Sequence, residues 1–160
     1  MKNGGFSLIE ITVAIALIGL MLGIGVPKFR RQLAIGKDTK AIAILTNLRT
    51  ASELYYLETG NPLTENPTSE TEIGTALKNL EEYLDVKTFK EIEDGKIEIG
   101  GSRALKDGGT EADSNITYGG EIGFTFKNPQ EGKASDGVYI WFAPETGKEY
   151  DIKGNKWSEY

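Results

Sequence analysis

The chain has 160 residues and a net charge of −6, with 39% hydrophobic and 26% charged residues. It contains neither cysteine nor histidine, which excludes disulfides, thiol nucleophiles, Cys/His zinc sites and the commonest general base. The acidic balance argues against nucleic-acid binding, which needs a concentrated basic surface.

A long apolar segment lies near the amino-terminal end. No charged side chain occurs from Ile11 to Pro27, and the stretch from Phe6 to Phe29 is long enough to span the roughly 30 Å hydrocarbon core of a bilayer. A secretory signal peptide is the alternative, but it would have a shorter apolar core and a small-residue cleavage site. The pattern therefore favours a membrane-spanning helix, in which Glu10 is an unexpected charge.

The residues around this charge form a recognisable motif, which reads Lys2-Asn3-Gly4-Gly5-Phe6-Ser7-Leu8-Ile9-Glu10. This string resembles the cleavage and methylation signature of type IV pilins and of type II secretion pseudopilins. The resemblance implies that a prepilin peptidase cuts after Gly5 and methylates the new amine of Phe6. It also implies that Glu10, the fifth residue after cleavage, serves in assembly.

The charge of Glu10 has a physical explanation in a filament. A carboxylate and an ammonium in low dielectric offset much of their desolvation cost only when they are paired. We expect Glu10 of one subunit to pair with the Phe6 amine of the next, so that subunits out of register leave Glu10 unmatched. The alternative is that Glu10 extends to the lipid headgroups.

Glycine and proline interrupt the same helix at Gly19, Gly23, Gly25 and Pro27. Both residue types weaken a helix, and the resemblance implies that the segment between Gly19 and Pro27 loosens when subunits assemble. The alternative is that these glycines allow close approach between membrane helices.

A second helical segment follows, which we call the stalk. Its apolar residues recur at a spacing of three and four: Phe29, Leu33, Ala41, Ile44, Leu45, Leu48, Ala51 and Tyr55. Gly60-Asn61-Pro62 predicts its end. Five basic residues at its start are expected to contact lipid phosphate: Lys28, Arg30, Arg31, Lys37 and Lys40. The first half of this long helix has no partner in its own chain, which indicates lipid or other subunits as its neighbours.

The remainder predicts a small globular head. Ser69 and Glu72 form a capping box, followed by an amphipathic helix of about four turns marked by Ile73, Leu77, Leu80 and Leu84. The hydrophobic period then becomes two, which predicts about four antiparallel strands. These strands lie around Lys96–Ile99, Ile122–Phe126, Val138–Phe142 and Lys148–Ile152.

The head shows little sign of chemistry. The loop from Asp107 to Asn115 has enough oxygen ligands for calcium but lacks the EF-hand spacing, so a solvated loop is the simpler interpretation. Glu81 and Glu82 are expected to face solvent rather than to act in catalysis. The aromatic residues of the head are expected to serve mainly in its core and in subunit contacts. We predict no catalytic residue, no metal site and no cofactor.

The sequence thus predicts an α+β, type IV pilin-like fold in which a long helix lies on a small antiparallel sheet. Its expected parts are a leader (1–5), a transmembrane assembly helix (6–27), the stalk (28–60) and the head (61–160). The resemblance implies a non-enzymatic subunit that polymerises with itself and related pilins.

The implied partners are the prepilin peptidase and methyltransferase, an assembly platform with its ATPase, and the inner membrane. The chain would be a single-pass precursor in the bacterial inner membrane and then part of a surface pilus. The alternative is a periplasmic pseudopilus in type II protein secretion or DNA uptake. A membrane-anchored enzyme or receptor would need a convergent polar site, and none is apparent in the sequence.

Overall fold

The computed structural model describes residues 7–68, 73–107, 109–130 and 133–160. Its longest element is helix α1, Leu8–Thr59, which has 52 residues and includes Pro27 without ending there. Gly60, with φ of +71°, follows α1 directly, because a residue without a Cβ adopts the left-handed conformation that terminates helices. The predicted end of the stalk at Gly60-Asn61-Pro62 is therefore confirmed.

The chain divides into two compact units between Leu33 and Ala34. Every described residue from Ser7 to Leu33 is exposed. From Ala34 onward α1 belongs to the globular unit and buries one face, which consists of Ala34, Asp38, Ala41, Ile44, Leu45, Leu48, Ala51 and Ser52. The sequence pattern placed Phe29 and Leu33 on the same face, but both are exposed because the buried face begins only at Ala34.

Short helical segments follow α1 in the globular unit. Helix α2 is Ile73–Lys78, a 3-10 turn follows at Glu81–Tyr83, and helix α3 is Val86–Ile92. The predicted four-turn helix is thus broken after Lys78, although Leu77 and Leu80 are buried as the pattern requires. The capping box at 69–72 lies outside the described residues.

Helix α3 was not predicted from the hydrophobic pattern. Its local signal is Asp85, whose Oδ1 accepts hydrogen bonds from the amides of Lys87 (3.1 Å) and Thr88 (3.0 Å). These bonds satisfy amides that have no partner inside the helix, as an N-cap residue does.

The strands form two small antiparallel sheets in the described residues. One has the order β1-β4-β5 and the other pairs β2 with β3. The strands are β1 Lys96–Glu98, β2 Gly101–Ser102, β3 Thr117–Tyr118, β4 Glu121–Thr125 and β5 Trp141–Ala143. The expected strand at 148–152 is reduced to isolated bridges from Tyr150 to Arg103 and Lys156.

A single hydrophobic cluster joins α1 to the three-stranded sheet. The register places Ile97 beside Ile122 and Phe124 beside Phe142, and all four side chains are buried in the cluster with Leu45 and Leu48 of α1. The predicted α+β fold, with a long amino-terminal helix and small antiparallel sheets, is confirmed.

Candidate assembly site

The amino-terminal part of α1 is an exposed apolar surface. Exposed fractions reach 84% at Leu8 and 77% at Met21, although leaving such side chains in water forfeits about 1.5–3 kcal/mol each. Among the described residues, this is the one helix long and apolar enough to cross a membrane. The surface is therefore suited to lipid or to other apolar helices rather than to water.

Only part of the predicted processing and assembly motif can be located. Gly5 and Phe6 lie outside the described residues. Glu10 lies in the first turn of α1 and is exposed among apolar neighbours. Its amide donates to the Ser7 carbonyl at 3.0 Å, so the backbone at Glu10 is already helical.

The helix-weakening residues lie on the same exposed surface. Gly19, Gly23 and Gly25 are all within α1, and a Cβ added to any of them would have no other atom within 4 Å. Pro27 lies within the helix as well, where it removes one backbone hydrogen bond. The three glycines therefore leave space beside the helix.

The basic residues after Pro27 fall into two groups. Lys37 pairs with Glu98, and Lys40 pairs with Glu91 at 2.6 Å. These two lysines therefore pair with carboxylates of the globular unit. The contact with lipid phosphate that the sequence led us to expect stays a prediction. Both pairs are partly exposed, so each contributes little to stability. Lys28 and Arg31 are exposed in the other unit.

A buried carboxylate anchors α1 in the globular unit. Asp38 is only 4% exposed, and its Oδ1 accepts a hydrogen bond from the Gly100 amide at 2.8 Å while Oδ2 accepts one from the Ile152 amide at 3.4 Å. Burial raises the pKa of the Asp38 carboxyl above its ordinary value, although the amide hydrogen bonds lower it.

The loop that contains Gly100 lies against α1 at the same point. A Cβ on Gly100 would lie 1.8 Å from the carbonyl oxygen of Ala34, so only glycine fits there without a shift of the chain. Gly100 therefore lets the loop between β1 and β2 reach both Ala34 and Asp38.

A second anchor is the partly buried side chain of Arg49. Its Nε donates to the Ile140 carbonyl at 2.7 Å and its Nη2 to the Tyr160 carbonyl at 2.6 Å. The guanidinium carbon also lies 4.2 Å from the centre of the Tyr139 ring, a cation–π geometry. Burial lowers the pKa of the Arg49 guanidinium from its ordinary value, but so strong a base stays charged.

Sequence reasoning missed both anchors, and for Asp38 a signal was available. Asp38 lies at helical spacing from Ala34, Ala41 and Leu45, which marks a polar residue on the buried face. Arg49 lies beside buried Leu48, but nothing in its local sequence indicates which carbonyls it contacts.

The acidic loops show no cluster of metal-ligating side chains within the described residues. No group of three or more potential metal-ligating side chains occurs there, and in the loop at 107–115 the Asp113 carboxylate accepts hydrogen bonds from Ser114 and Asn115. Glu81 and Glu82 are exposed. Of the aromatic residues, Tyr150 and Trp157 are buried in the globular unit, whereas Tyr56 is exposed.

Comparisons with known proteins cover only part of the chain. The family described as "Prokaryotic N-terminal methylation motif" matches residues 1–26. A "Fimbrial protein" of Pseudomonas aeruginosa is 35% identical over 54 residues, which are 34% of this chain and 35% of the relative.

A "Type IV major pilin protein PilA" of Myxococcus xanthus (strain DK1622) is 35% identical over 57 residues, or 36% of this chain and 26% of the relative. The chain thus aligns with about a third or less of the length of these curated relatives. No solved structure matches it.

These findings relate the chain to type IV pilins. The chain carries the prokaryotic N-terminal methylation motif, has a pilin-like α+β fold and is distantly similar to type IV pilins over about a third of its length. The apolar helix and the motif are consistent with a membrane precursor.

Proposed function

We propose that the chain is a structural subunit of a type IV pilus-like filament. A prepilin peptidase cuts it after Gly5 and methylates Phe6, and an assembly platform with its ATPase then draws it from the inner membrane into a helical polymer. The observation that carries this proposal is the exposed apolar face of α1 from Leu8 to Val26, with Glu10 as its one charge.

The arrangement of Glu10 supports the assembly step. An isolated carboxylate on an apolar helix is costly in hydrocarbon, and its cost falls when a cation approaches in low dielectric. Cleavage after Gly5 creates such a cation at Phe6, four residues before Glu10. Pairing across two subunits fixes their stagger, because other registers leave both charges unmatched.

Gly19 and Pro27 have a supporting role in the same proposal. Space beside Gly19 allows neighbouring helices to approach closely. The missing hydrogen bond at Pro27 and the low helix propensity of the glycines allow the intervening turns to extend when subunits pack.

The similarity to a major pilin favours a surface pilus over a pseudopilus. The two functions differ in where the mature polymer is found. The test is the intact mass and amino-terminal sequence of the native protein, measured separately in sheared surface material and in membranes. Methylated Phe6 in the sheared fraction is the expected result.

Two other results would change the proposal. Methylated Phe6 in membranes alone would identify a pseudopilin of a type II secretion or DNA-uptake system. An uncut chain, or cleavage beyond Pro27, would contradict both functions and the roles of Gly5, Phe6 and Glu10.

A further inference from the structure

A tripeptide in the globular unit has the sequence of an N-glycosylation acceptor. Asn115-Ile116-Thr117 fits the pattern Asn-X-Ser/Thr in which X is any residue except proline, and no other asparagine of the chain fits it. An acceptor of this kind takes a glycan where it lies on the surface of a secreted protein. A modification at Asn115 therefore requires an exposed side-chain amide and a globular unit outside the cytoplasm.

The structure exposes both polar residues of the tripeptide. Asn115 and Thr117 are exposed, and Ile116 between them is half-buried. Asn115 lies in the irregular segment between the isolated bridge at Ala112 and strand β3, which begins at Thr117. The acceptor amide and the hydroxyl two residues after it are therefore both accessible to an enzyme at the surface of the globular unit.

A carboxylate holds the acceptor amide in place. Oδ2 of Asp113 accepts a hydrogen bond from Nδ2 of Asn115 at 3.2 Å, and Oδ1 of Asp113 accepts one from the Asn115 backbone amide at 3.4 Å. No hydrogen bond joins the Asn115 side chain to any other residue that the structure describes. Because a hydrogen bond to a carboxylate polarises the N–H group, it increases the electron density on an amide nitrogen, which is otherwise a weak nucleophile.

A second tripeptide of the chain differs from this one in its middle residue. In Asn66-Pro67-Thr68 the asparagine and the threonine are exposed as well. The proline between them fixes the backbone and removes an amide, and the acceptor pattern excludes it. Asn66 is therefore a built-in control, since it matches Asn115 in exposure and in the hydroxyl two residues later.

We propose that Asn115 is an N-glycosylation site whose donor is a glycan joined through a diphosphate to a membrane lipid. Nδ2 of Asn115 attacks the anomeric carbon of the donor, so a C–N bond forms while the bond from that carbon to the phosphate oxygen breaks. The lipid diphosphate leaves with the electron pair of the broken bond, and Nδ2 loses one proton to a base of the transferase. Asp113 is a positioning residue for Nδ2.

This site rests on the proposed function for its compartment. A subunit of a surface filament exposes its globular unit outside the cytoplasm, where a transferase that uses a lipid-linked glycan can reach Asn115. The glycan would then cover the loop around Asn115 with a bulky, solvated group.

Mass spectrometry of the native full-length protein tests the site. Cleavage after lysine and arginine releases residues 107–127 as one peptide, and electron-transfer fragmentation, which preserves the bond between sugar and peptide, locates the sugar within it. We expect saccharide mass on Asn115 and none on Asn66, which lies in another peptide. A peptide without sugar, or sugar on the hydroxyl of Thr110, Ser114 or Thr117, would overturn the site.

Substitutions in the tripeptide test the acceptor pattern. Asn115→Gln and Thr117→Ala should each abolish the saccharide mass, whereas Thr117→Ser keeps the hydroxyl and should retain it. The Thr117→Ser variant also controls for a change in the fold at β3, since it too replaces the residue that begins this strand. Saccharide mass that persists in Thr117→Ala would overturn the proposed acceptor.

Two substitutions test the role of Asp113. Asp113→Asn should lower the glycosylated fraction by about tenfold, as the loss of one hydrogen bond to a charged group would. Asp113→Glu restores the carboxylate and should recover most of the glycosylation, which a merely structural role of Asp113 would not produce. An unchanged fraction in Asp113→Asn would overturn the positioning role.

The same spectra separate this site from the proposed function. Methylated Phe6 on a chain without sugar at Asn115 would overturn the glycosylation site alone. Sugar at Asn115 on a chain that is uncut at Gly5 would overturn the filament function and support the site. A chain with neither modification would overturn both proposals.

Discussion

Asp38 is a carboxylate in the buried contact between α1 and the loop after β1. Its raised pKa means that the folded protein holds the Asp38 proton more tightly than the unfolded chain, where the ordinary value is 3.8. The stability that Asp38 contributes is therefore fully present below about pH 3.8 and is lost as the pH rises through the folded-state pKa.

We predict that the wild type gains stability relative to Asp38→Asn as the pH is lowered from neutral toward 3.8. Urea unfolding of the full chain in detergent micelles measures this difference, with the buried Trp157 as the fluorescence probe. Glu111→Gln controls for the loss of one exposed charge. A wild type that loses stability relative to Asp38→Asn on acidification would contradict the raised pKa.

Tyr160 titrates at high pH, whereas Asp38 titrates at low pH. Burial, together with its hydrogen bond to Oδ2 of Asp151 at 2.6 Å, raises the pKa of Tyr160 to about 12 from 10.0. Its contribution to stability is present below pH 10.0 and is lost as the pH rises to about 12. We predict that Tyr160→Phe is less stable than the wild type at pH 8 by about 1–2 kcal/mol.

The same urea measurement at high pH checks the mechanism. The difference between the wild type and Tyr160→Phe should shrink between pH 10.0 and about 12. If the difference in the free energy of unfolding stays constant over this range, the pKa of Tyr160 is not raised in the folded protein.

At the scale of elements, two glycines, one within α1 and one in the loop that contacts it, should respond in opposite ways to substitution by alanine. Gly36 lies within α1 with no atom within 4 Å of an added Cβ, whereas a Cβ on Gly100 would meet the carbonyl oxygen of Ala34 at 1.8 Å. We predict that Gly36→Ala stabilises the globular unit by about 0.5–1 kcal/mol through helix propensity. Gly100→Ala should destabilise it by about 1–3 kcal/mol or more, because the loop must move away from α1.

The midpoints of urea unfolding of the two variants, in the same micelles, measure this contrast. Each variant serves as the control for the other, since both add one methyl group. Equal shifts in the same direction would contradict the close contact between the β1–β2 loop and α1.

At the scale of the whole molecule, Glu10 should affect assembly and not processing. We predict that Glu10→Gln is cleaved and methylated normally but lowers the subunit in sheared material by about 100-fold or more. The reason is that removal of one partner from a buried ion pair costs about 3–5 kcal/mol. Intact mass of the membrane fraction and the quantity of sheared protein measure the two effects.

Glu10→Asp, which keeps the charge, is the matched control and should retain more polymer than Glu10→Gln. Unchanged polymer from Glu10→Gln would show that Glu10 reaches the lipid headgroups instead of pairing with a neighbouring amine.

Local patterns in the sequence were sufficient for α1 and for the motif that precedes it. The apolar run, the spacing of Ile44, Leu45 and Leu48, and the stop at Gly60 all depend on residues close in sequence, so α1 could be predicted with its end at Thr59. Glu10, Gly19 and Pro27 were also assigned from their positions in the motif and its helix, and their role in assembly stays a prediction.

Tertiary structure decided the features that depend on distant partners. Tyr150 pairs only through isolated bridges, although its sequence resembles a strand, because a strand needs a neighbour with a continuous set of free backbone groups. Asp38 and Arg49 became anchors because Gly100, Ile140 and the chain near Ile152 happen to place amides and carbonyls beside them. Sequence alone determined that this protein presents an uncovered apolar helix with one charge, whereas long-range contacts determined which part of that helix is held by the globular unit.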